Sequence, residues 1–417
     1  MPDTLPSESV TRTPFAGNRH AKVAYFISHP IQYQAPLLRR ISQEPDIDLK
    51  VFFSSDLSVR GYVDSGFGVQ VKWDIPLLDG YAYEFLPRVN DGDTIGFATP
   101  LNWGVFRRLR AGGFDAVWVF GYNRLVCLQA IVAAKLLRIP VLIRTDSSLF
   151  DRDRSTAILL AKKLFFRILR PAVQGVISIG TGNTEYWRHY LGSQTPIYLM
   201  PYSIDNEYFR KQILKASPHR DQLRDQLGLE RDRLIILFAA KLTSGKRCID
   251  LVDAYARICK DSIDRTPYLL VIGDGAERRN LETQVLESGL SGVRFLGFRN
   301  QSELPALYDL CDLFVLPSEQ DAWGLAVNEA MIAGKPVIVT DRVGCHPDLV
   351  HAGVNGFVYP AHDVDALACY LRQIIENPEL RISMGENSLR LIQKYSFEQN
   401  VSGLRQALGR LVPGFEA

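Results

Sequence analysis

The sequence predicts an α/β fold made of parallel sheets in two domains. Three observations carry that expectation. The chain has 417 residues, and 47% of them are apolar, enough for two cores. Short apolar runs recur along it, each followed by a polar loop and a helical pattern. One stretch contains a whole strand–loop–helix–strand crossover, the unit from which parallel sheets are built. In that stretch Leu313 to Leu316 reads as a buried strand ending at Pro317, and Ser318 to Ala322 as a polar loop. Leu325 to Ala333 reads as a helix stopped by Gly334, and Pro336 to Thr340 as the next strand.

In chain order, residues 1–20 are polar, rich in Pro, Ser and Thr, and lack the apolar core of a signal peptide. They are expected to be a disordered tail. No stretch reaches about 18 apolar residues, so no membrane span is expected. Lys22 to Ser28 is the first strand, and a helix runs through Arg40. Asp48 to Phe53 is the second strand. Residues 55–97 read as long irregular acceptor-side loops, rich in Gly and aromatics. Asp115 to Phe120, Pro140 to Thr145 and Gln174 to Ile179 are further buried strands, with helical patterns at 122–138 and 154–171. Tyr190 to Phe209 reads as the hinge, with a strand from Pro196 to Met200. The second domain brings strands at Leu234 to Ala240, Tyr268 to Gly273 and Val293 to Phe298, and helices at 363–378 and 396–412. The expected domains are 21–200 and 201–392, with 393–417 a helix returning to the first.

Charge narrows the function. The net charge is +2, which implies no nucleic-acid partner. Residues 1–200 carry 23 Lys and Arg against 17 Asp and Glu, so the amino-terminal half is the basic one. That suits an acceptor on an acidic membrane or one bearing phosphate. The helical segment Ala157 to Arg170 is apolar, with Lys162, Lys163, Arg167 and Arg170. It reads either as a bilayer-docking helix or, the favoured reading, as a helix packed on the sheet with a basic outer edge. Six cysteines without a CxxC pair read as reduced residues rather than disulfides or a zinc site.

Candidate chemistry gathers at strand ends, where open parallel sheets bind ligands. In the crossover, Asp321 lies in the loop and Glu329 on the helix. Amides at Gly324 and Leu325 open the helix and could hold a diphosphate. Glu329 could grip two ribose hydroxyls, and Asp321 could reach a sugar. Taken alone, the same two residues could be a helix cap and a solvated side chain. Lys241 and Lys246 flank a loop after a strand and could neutralise a diphosphate leaving group. After the first strand, His29, Gln32 and Tyr33 could grip a sugar acceptor, with His29 taking its proton. Alternatively, His29 caps the helix and Tyr33 packs. Asp146 is a further candidate at a strand end, although a capping Asp is the commoner case. Two short DxD patterns, Asp91–Asp93 and Asp151–Asp153, lie outside this unit and are not read as metal sites. Gly273 to Arg278 lacks the glycine spacing of a dinucleotide fingerprint.

Residues 317–360 resemble the signature of the retaining glycosyltransferases of family 4, which have the GT-B fold. Matching positions are Pro317, Ser318, Trp323, Gly324, Leu325, Glu329, Ala330, Met331, Gly334, Pro336, Val337, Ile338, Gly353 and Gly356. Lys241 to Arg247 is similar to the family's cationic loop, with Lys246 on its Lys and Lys241 on its Arg. Pro201 to Asp205 is similar to its linker, with Tyr202 and Ser203 as departures. Further departures are Asp321, where the family has Glu, and Cys345, where it has a second Gly. The resemblance implies two Rossmann-like, doubly wound domains facing a central cleft. It implies transfer of a sugar from a nucleotide-sugar to an acceptor hydroxyl with retention, without metal or cofactor, in cell-surface polysaccharide or glycoconjugate synthesis. Catalysis would fall to Asp321, Lys246, Glu329 and His29. The donor would be held by Lys241, Lys246, Phe298, Trp323, Gly324, Leu325 and Glu329. The acceptor, a sugar or lipid-linked sugar, would be held by His29, Gln32, Tyr33 and Asp146. The expected location is cytoplasmic, including the inner face of the membrane. A sugar-nucleotide epimerase or hydrolase, and a catalytically silent binding protein, are the alternatives. Asp321 keeps the last one open.

Overall fold

Strands that are apolar on both faces can only be buried between helix layers, and most strands of the two main sheets are of that kind. The structure is a computed structural model, and it describes residues 19–64, 66–90, 94–149, 155–260 and 266–417. Nearly all of the polar tail and both DxD patterns lie outside the described residues. The first domain contains β1 (Ala21–Ile27), β2 (Ile47–Phe53), the antiparallel pair β3 (Tyr62–Val63) and β4 (Gln70–Val71), and β5 (Ala82–Phe85). A second antiparallel pair, β6 (Arg88–Val89) and β7 (Leu101–Asn102), is followed by β8 (Ala116–Phe120), β9 (Val141–Arg144), β10 (Gly175–Ser178) and β11 (Ile197–Leu199). Its main sheet has seven parallel strands in the order β11-β10-β9-β8-β1-β2-β5.

The second domain holds β12 (Ile235–Ala239), β13 (Tyr268–Ile272), β14 (Val293–Gly297), β15 (Leu313–Leu316), β16 (Val337–Thr340) and β17 (Gly356–Tyr359). They form one parallel sheet in the order β14-β13-β12-β15-β16-β17. The α/β class with two parallel, Rossmann-like sheets is therefore as expected. The crossover runs β15, loop, helix Leu325–Ile332, β16.

One face of the first sheet packs on the helices Ala35–Ile41 and Phe397–Leu411. The other face packs on Val105–Gly112, Leu125–Leu137, Thr156–Leu169 and Thr181–Leu191. The last helix thus returns from the second domain to the first domain's core. Leu404, Ala407 and Leu408 are fully buried there. Arg405 binds Asp46 at 2.7 Å and Glu44 at 3.0 Å, and Arg40 binds Glu398 at 2.7 Å.

Three expectations change. The described residues of 55–97 are irregular only in part. They add β5 to the sheet edge and contain the β3–β4 hairpin. Ala82–Phe85 is a half-exposed edge strand of mixed polarity, so it carries no apolar run to read. The hinge begins later than Tyr190, which belongs to the helix Thr181–Leu191. That helix buries Asn183, Tyr186, Trp187 and Leu191 on one side. The helix Thr156–Leu169 buries only Phe166 and Leu169. It packs on the sheet as favoured, but its outer face carries an exposed apolar stripe beside the basic edge, which the expectation lacked.

Gly403 tests the docking of the last helix. An alanine in mid-helix usually stabilises by about 0.5–1 kcal/mol relative to glycine. Here a Cβ would stand 2.0 Å from the Leu199 carbonyl oxygen. Gly403→Ala is therefore expected to destabilise by about 1–3 kcal/mol, read as a lower denaturation midpoint. A gain in stability would mean the helix does not dock against β11.

Candidate active site between the two sheets

The cleft is assembled from residues that follow strand ends in both domains. His29 and Gln32 follow β1; Ala240 and Lys241 follow β12; Gly273 follows β13; Phe298 follows β14. All of them, with Glu329 from the crossover helix, line one cavity of about 360 Å³. A neighbouring cavity of about 290 Å³ is lined by Tyr33, Asp205, Tyr208 and Leu325 and shares Gln32, Gln301 and Glu329 with the first. Gly273 lines the first cavity, and Gly324 turns the loop into the crossover helix. Gly324 has φ of 92°, and a Cβ there would lie 2.8 Å from Val343 Cγ1. Only glycine lets the loop turn into the helix at this point.

Two lysines stand at the cleft, each held by one carboxylate. Lys246 Nζ lies 2.5 Å from Asp321 Oδ2. The other Asp321 oxygen accepts the Trp323 amide at 3.3 Å. The pair lies beside the two cavities rather than in their walls. Lys241 Nζ lies 2.7 Å from Asp64 Oδ1, and Asp64 comes from the other domain, in the β3–β4 turn. Burial alone would raise the Asp64 carboxyl. The Lys241 ammonium and the Phe67 and Gly66 amides outweigh it and hold the group below its ordinary value.

The rest of the hairpin closes on the second domain in the same way. Phe67 meets Phe298 edge-on, with centroids 4.9 Å apart, and Trp73 meets it at 6.1 Å. Lys241 also lies over the Phe67 ring, at 4.8 Å. Asn300 Nδ2 donates to the Lys72 carbonyl at 2.7 Å. Asp64, Phe67 and Trp73 were not legible as site residues. Their only signal was the Gly- and aromatic-rich stretch that contains them.

Each remaining sequence candidate has a clear position. Glu329 is buried in the wall shared by both cavities, and burial pushes its carboxyl up to about 7. His29 is pulled down to about 4 by burial and by Arg124, against the pull of Asp64. It is neutral at neutral pH and a weak base, with Nδ1 2.9 Å from Ser28 Oγ. This geometry suits hydrogen bonding better than proton abstraction. Tyr33 packs edge-on against Tyr202, centroids 5.4 Å apart. Asp146 is half-buried after β9, close enough to act on Tyr33 and Tyr202 through its charge. Leu325 opens the crossover helix at the second cavity.

Asp146 and Gly324 line neither cavity, like Lys246 and Asp321, and Trp323 is turned away from the cleft altogether. It is buried, its Nε1 donates to Asn328 Oδ1 at 2.9 Å, and a Cβ on Gly180 of the first domain would press on its ring. Asn328 Nδ2 in turn donates to the Tyr202 carbonyl at 3.2 Å. These two residues join the domains. The signature's aromatic position is here a packing residue.

This architecture is the GT-B fold. Residues 219–390 match the model of the family Glycosyl transferases group 1. Together they support a glycosyltransferase. The chain is 33% identical over 141 residues to an uncharacterised glycosyltransferase of Methanocaldococcus jannaschii, covering 34% of this chain and 40% of that protein. It is 24% identical over 287 residues to the alpha-D-kanosaminyltransferase of Streptomyces kanamyceticus, covering 66% of this chain and 72% of that enzyme. Anabaena HepE, solved in complex with UDP and glucose, superposes with a TM-score of 0.69 at 18% identity, over 94% of this chain and 100% of that one.

Glu329 makes stability depend on pH. Its folded-state value, about 7, is above its ordinary 4.5. The native state therefore holds a proton that the unfolded state releases, and stability falls as pH rises from 4.5 through 7. The loss is on the order of 3 kcal/mol by the usual conversion. Glu329→Gln removes it. The melting temperature of that variant should exceed the parent's at pH 8 and converge with it near pH 5. A gap that does not change with pH would show that Glu329 does not titrate in this window.

Proposed function

We propose that this protein transfers a sugar from a nucleotide-sugar to an acceptor hydroxyl, with retention of configuration and without a metal. The observation that carries the reading is the placement of Lys241, Phe298 and Glu329 from the second domain opposite His29 and Gln32 from the first, around one cavity. Phe298 lies where a base could stack. Glu329 can accept two ribose hydroxyls, and the helix start at Leu325 can donate to phosphate. Lys241 and Lys246 would meet the charge that grows on the diphosphate as it leaves, the role a metal would otherwise take. Asp321 would accept sugar hydroxyls and stabilise positive charge on the ring.

The two ion pairs mean that the diphosphate must draw each lysine from its carboxylate. A freed Asp321 then faces the sugar, and a freed Asp64 loosens the hairpin. His29, Gln32 and Tyr33 would hold the acceptor, with Asp146 behind them after β9. The acceptor is a sugar or lipid-linked sugar, and the place of action is the cytoplasmic side of the membrane, in the assembly of surface polysaccharide or glycoconjugate. The second reading, a binding protein without turnover, draws on the same pairs: both cations are already neutralised. Mixing the pure protein with a panel of nucleotide-sugars, with and without acceptors, separates the two. Acceptor-dependent release of nucleoside diphosphate supports transfer, and binding without release supports the silent reading.

Lys246→Ala is expected to reduce turnover about a hundredfold or more, the scale for one transition-state charge partner. Excess chelator should leave the parent's rate unchanged. Normal turnover in Lys246→Ala would remove that lysine from the diphosphate site, and loss on chelation restored by manganese would overturn the metal-free chemistry. Nucleotide binding has its own signature. Ribose hydroxyls favour the ionised form of Glu329, so binding at pH 6 should release a proton. Titration calorimetry in two buffers of different ionisation heat reads that proton, and equal heats would place the ribose away from Glu329.

A further inference from the structure

The helix Thr156–Leu169 has an apolar stripe that nothing among the described residues covers. Leu160, Leu164 and Ile168 follow one another at every fourth position, so they share one face of the helix. They are 69%, 59% and 71% exposed. Lys163, Arg167 and Arg170 run along one edge of that stripe and are exposed. The opposite side of the helix carries Phe166 and Leu169, which anchor it to the first domain's core.

The surroundings extend the pattern. The helices Val105–Gly112 and Leu125–Leu137 pack on the same face of the same sheet. They present exposed Phe106, Val132 and Leu136, with Trp103 just before the first of them. An apolar groove of about 480 Å³ lies between these two helices. None of the three helices contains an Asp or a Glu, while Arg107, Arg110 and Lys135 add to their positive charge.

We infer that this helical face docks on an anionic lipid bilayer. An exposed stripe of large apolar residues with a basic rim and no acidic residue is the composition of a helix that lies in the membrane interface. Anionic headgroups complement the rim, and the acyl boundary takes the stripe. A second copy of the chain is the weaker occupant, because it would bring two basic faces together. No helix among the described residues is long and apolar enough to cross a membrane, so the contact is one of lying on the surface. The inference does not depend on the proposed reaction.

Flotation with vesicles tests it on the intact protein, without an activity assay. The parent should float with phosphatidylglycerol vesicles at low salt, bind phosphatidylcholine vesicles weakly, and lose binding as salt rises. Removing two rim charges in Lys163→Gln/Arg167→Gln should weaken binding by about 25-fold, roughly fivefold for each charge. Leu160→Ser/Leu164→Ser/Ile168→Ser should abolish flotation while the thermal melt stays that of a folded protein. Failure of the parent to bind phosphatidylglycerol vesicles would overturn the inference. So would binding that neither set of substitutions changes. A dimer in light scattering that the triple variant dissolves, with no vesicle binding by the parent, would overturn it in favour of a second copy.

Discussion

A lysine in a crevice between two domains must be met by a negative charge, and most of this cleft follows from that requirement. Lys246 and Lys241 sit beyond the first strand of the second domain, partly withdrawn from water. Each is held by a carboxylate, Asp321 and Asp64. Removing a carboxylate leaves its lysine, still partly in water, without a partner in the cleft. Asp321 belongs to the same domain as its lysine. Asp64 does not, so the second pair also pulls the β3–β4 hairpin across the cleft. The edge-on rings of Phe67 and Trp73 against Phe298 then close that end of the cavity. Charge balance and domain closure are one event at Lys241.

The domains are joined more firmly behind the cleft than in front of it. Trp323 and Asn328, on either side of the helix start, bond to each other and to the linker at Tyr202. Asp348 of the second domain accepts the Thr181 amide at 2.9 Å and the Thr181 hydroxyl at 2.8 Å, capping a first-domain helix. The last helix completes the frame from the first domain's side. These contacts are buried and uncharged, or charge-assisted and short. The front contacts are one salt bridge, Lys241 to Asp64, a few rings on a hairpin and the Asn300 bond to Lys72. A ligand that competes for Lys241 therefore acts on the weaker side.

Much of the frame was legible, and the reason is burial. The strand Leu313–Leu316 matches its apolar run residue for residue, since a parallel strand covered on both faces has no polar positions to blur it. Gly324 was legible as the turn into the helix because its conformation excludes side chains. Lys241 could be named because it follows a strand end, Glu329 because it sits on the crossover helix, and Phe298 only through the family resemblance. The edge strand Ala82–Phe85 could not, being half-exposed and short. Neither could the outward stripe of Thr156–Leu169, because helical periodicity reports an apolar face without saying whether anything covers it.

The sequence by itself determined the α/β class, the two parallel sheets and the positions from which chemistry can be done, because local pattern and burial govern all three. Tertiary structure decided partnership. It placed Asp64 on Lys241, 177 positions along the chain, and Asp321 on Lys246. It turned Trp323 from the cleft into the domain junction, and it set Glu329 in a wall dry enough to raise its carboxyl to about 7. Ion pairing and desolvation depend on distances through space. Spacing along a chain carries no record of those distances until the two sheets face one another.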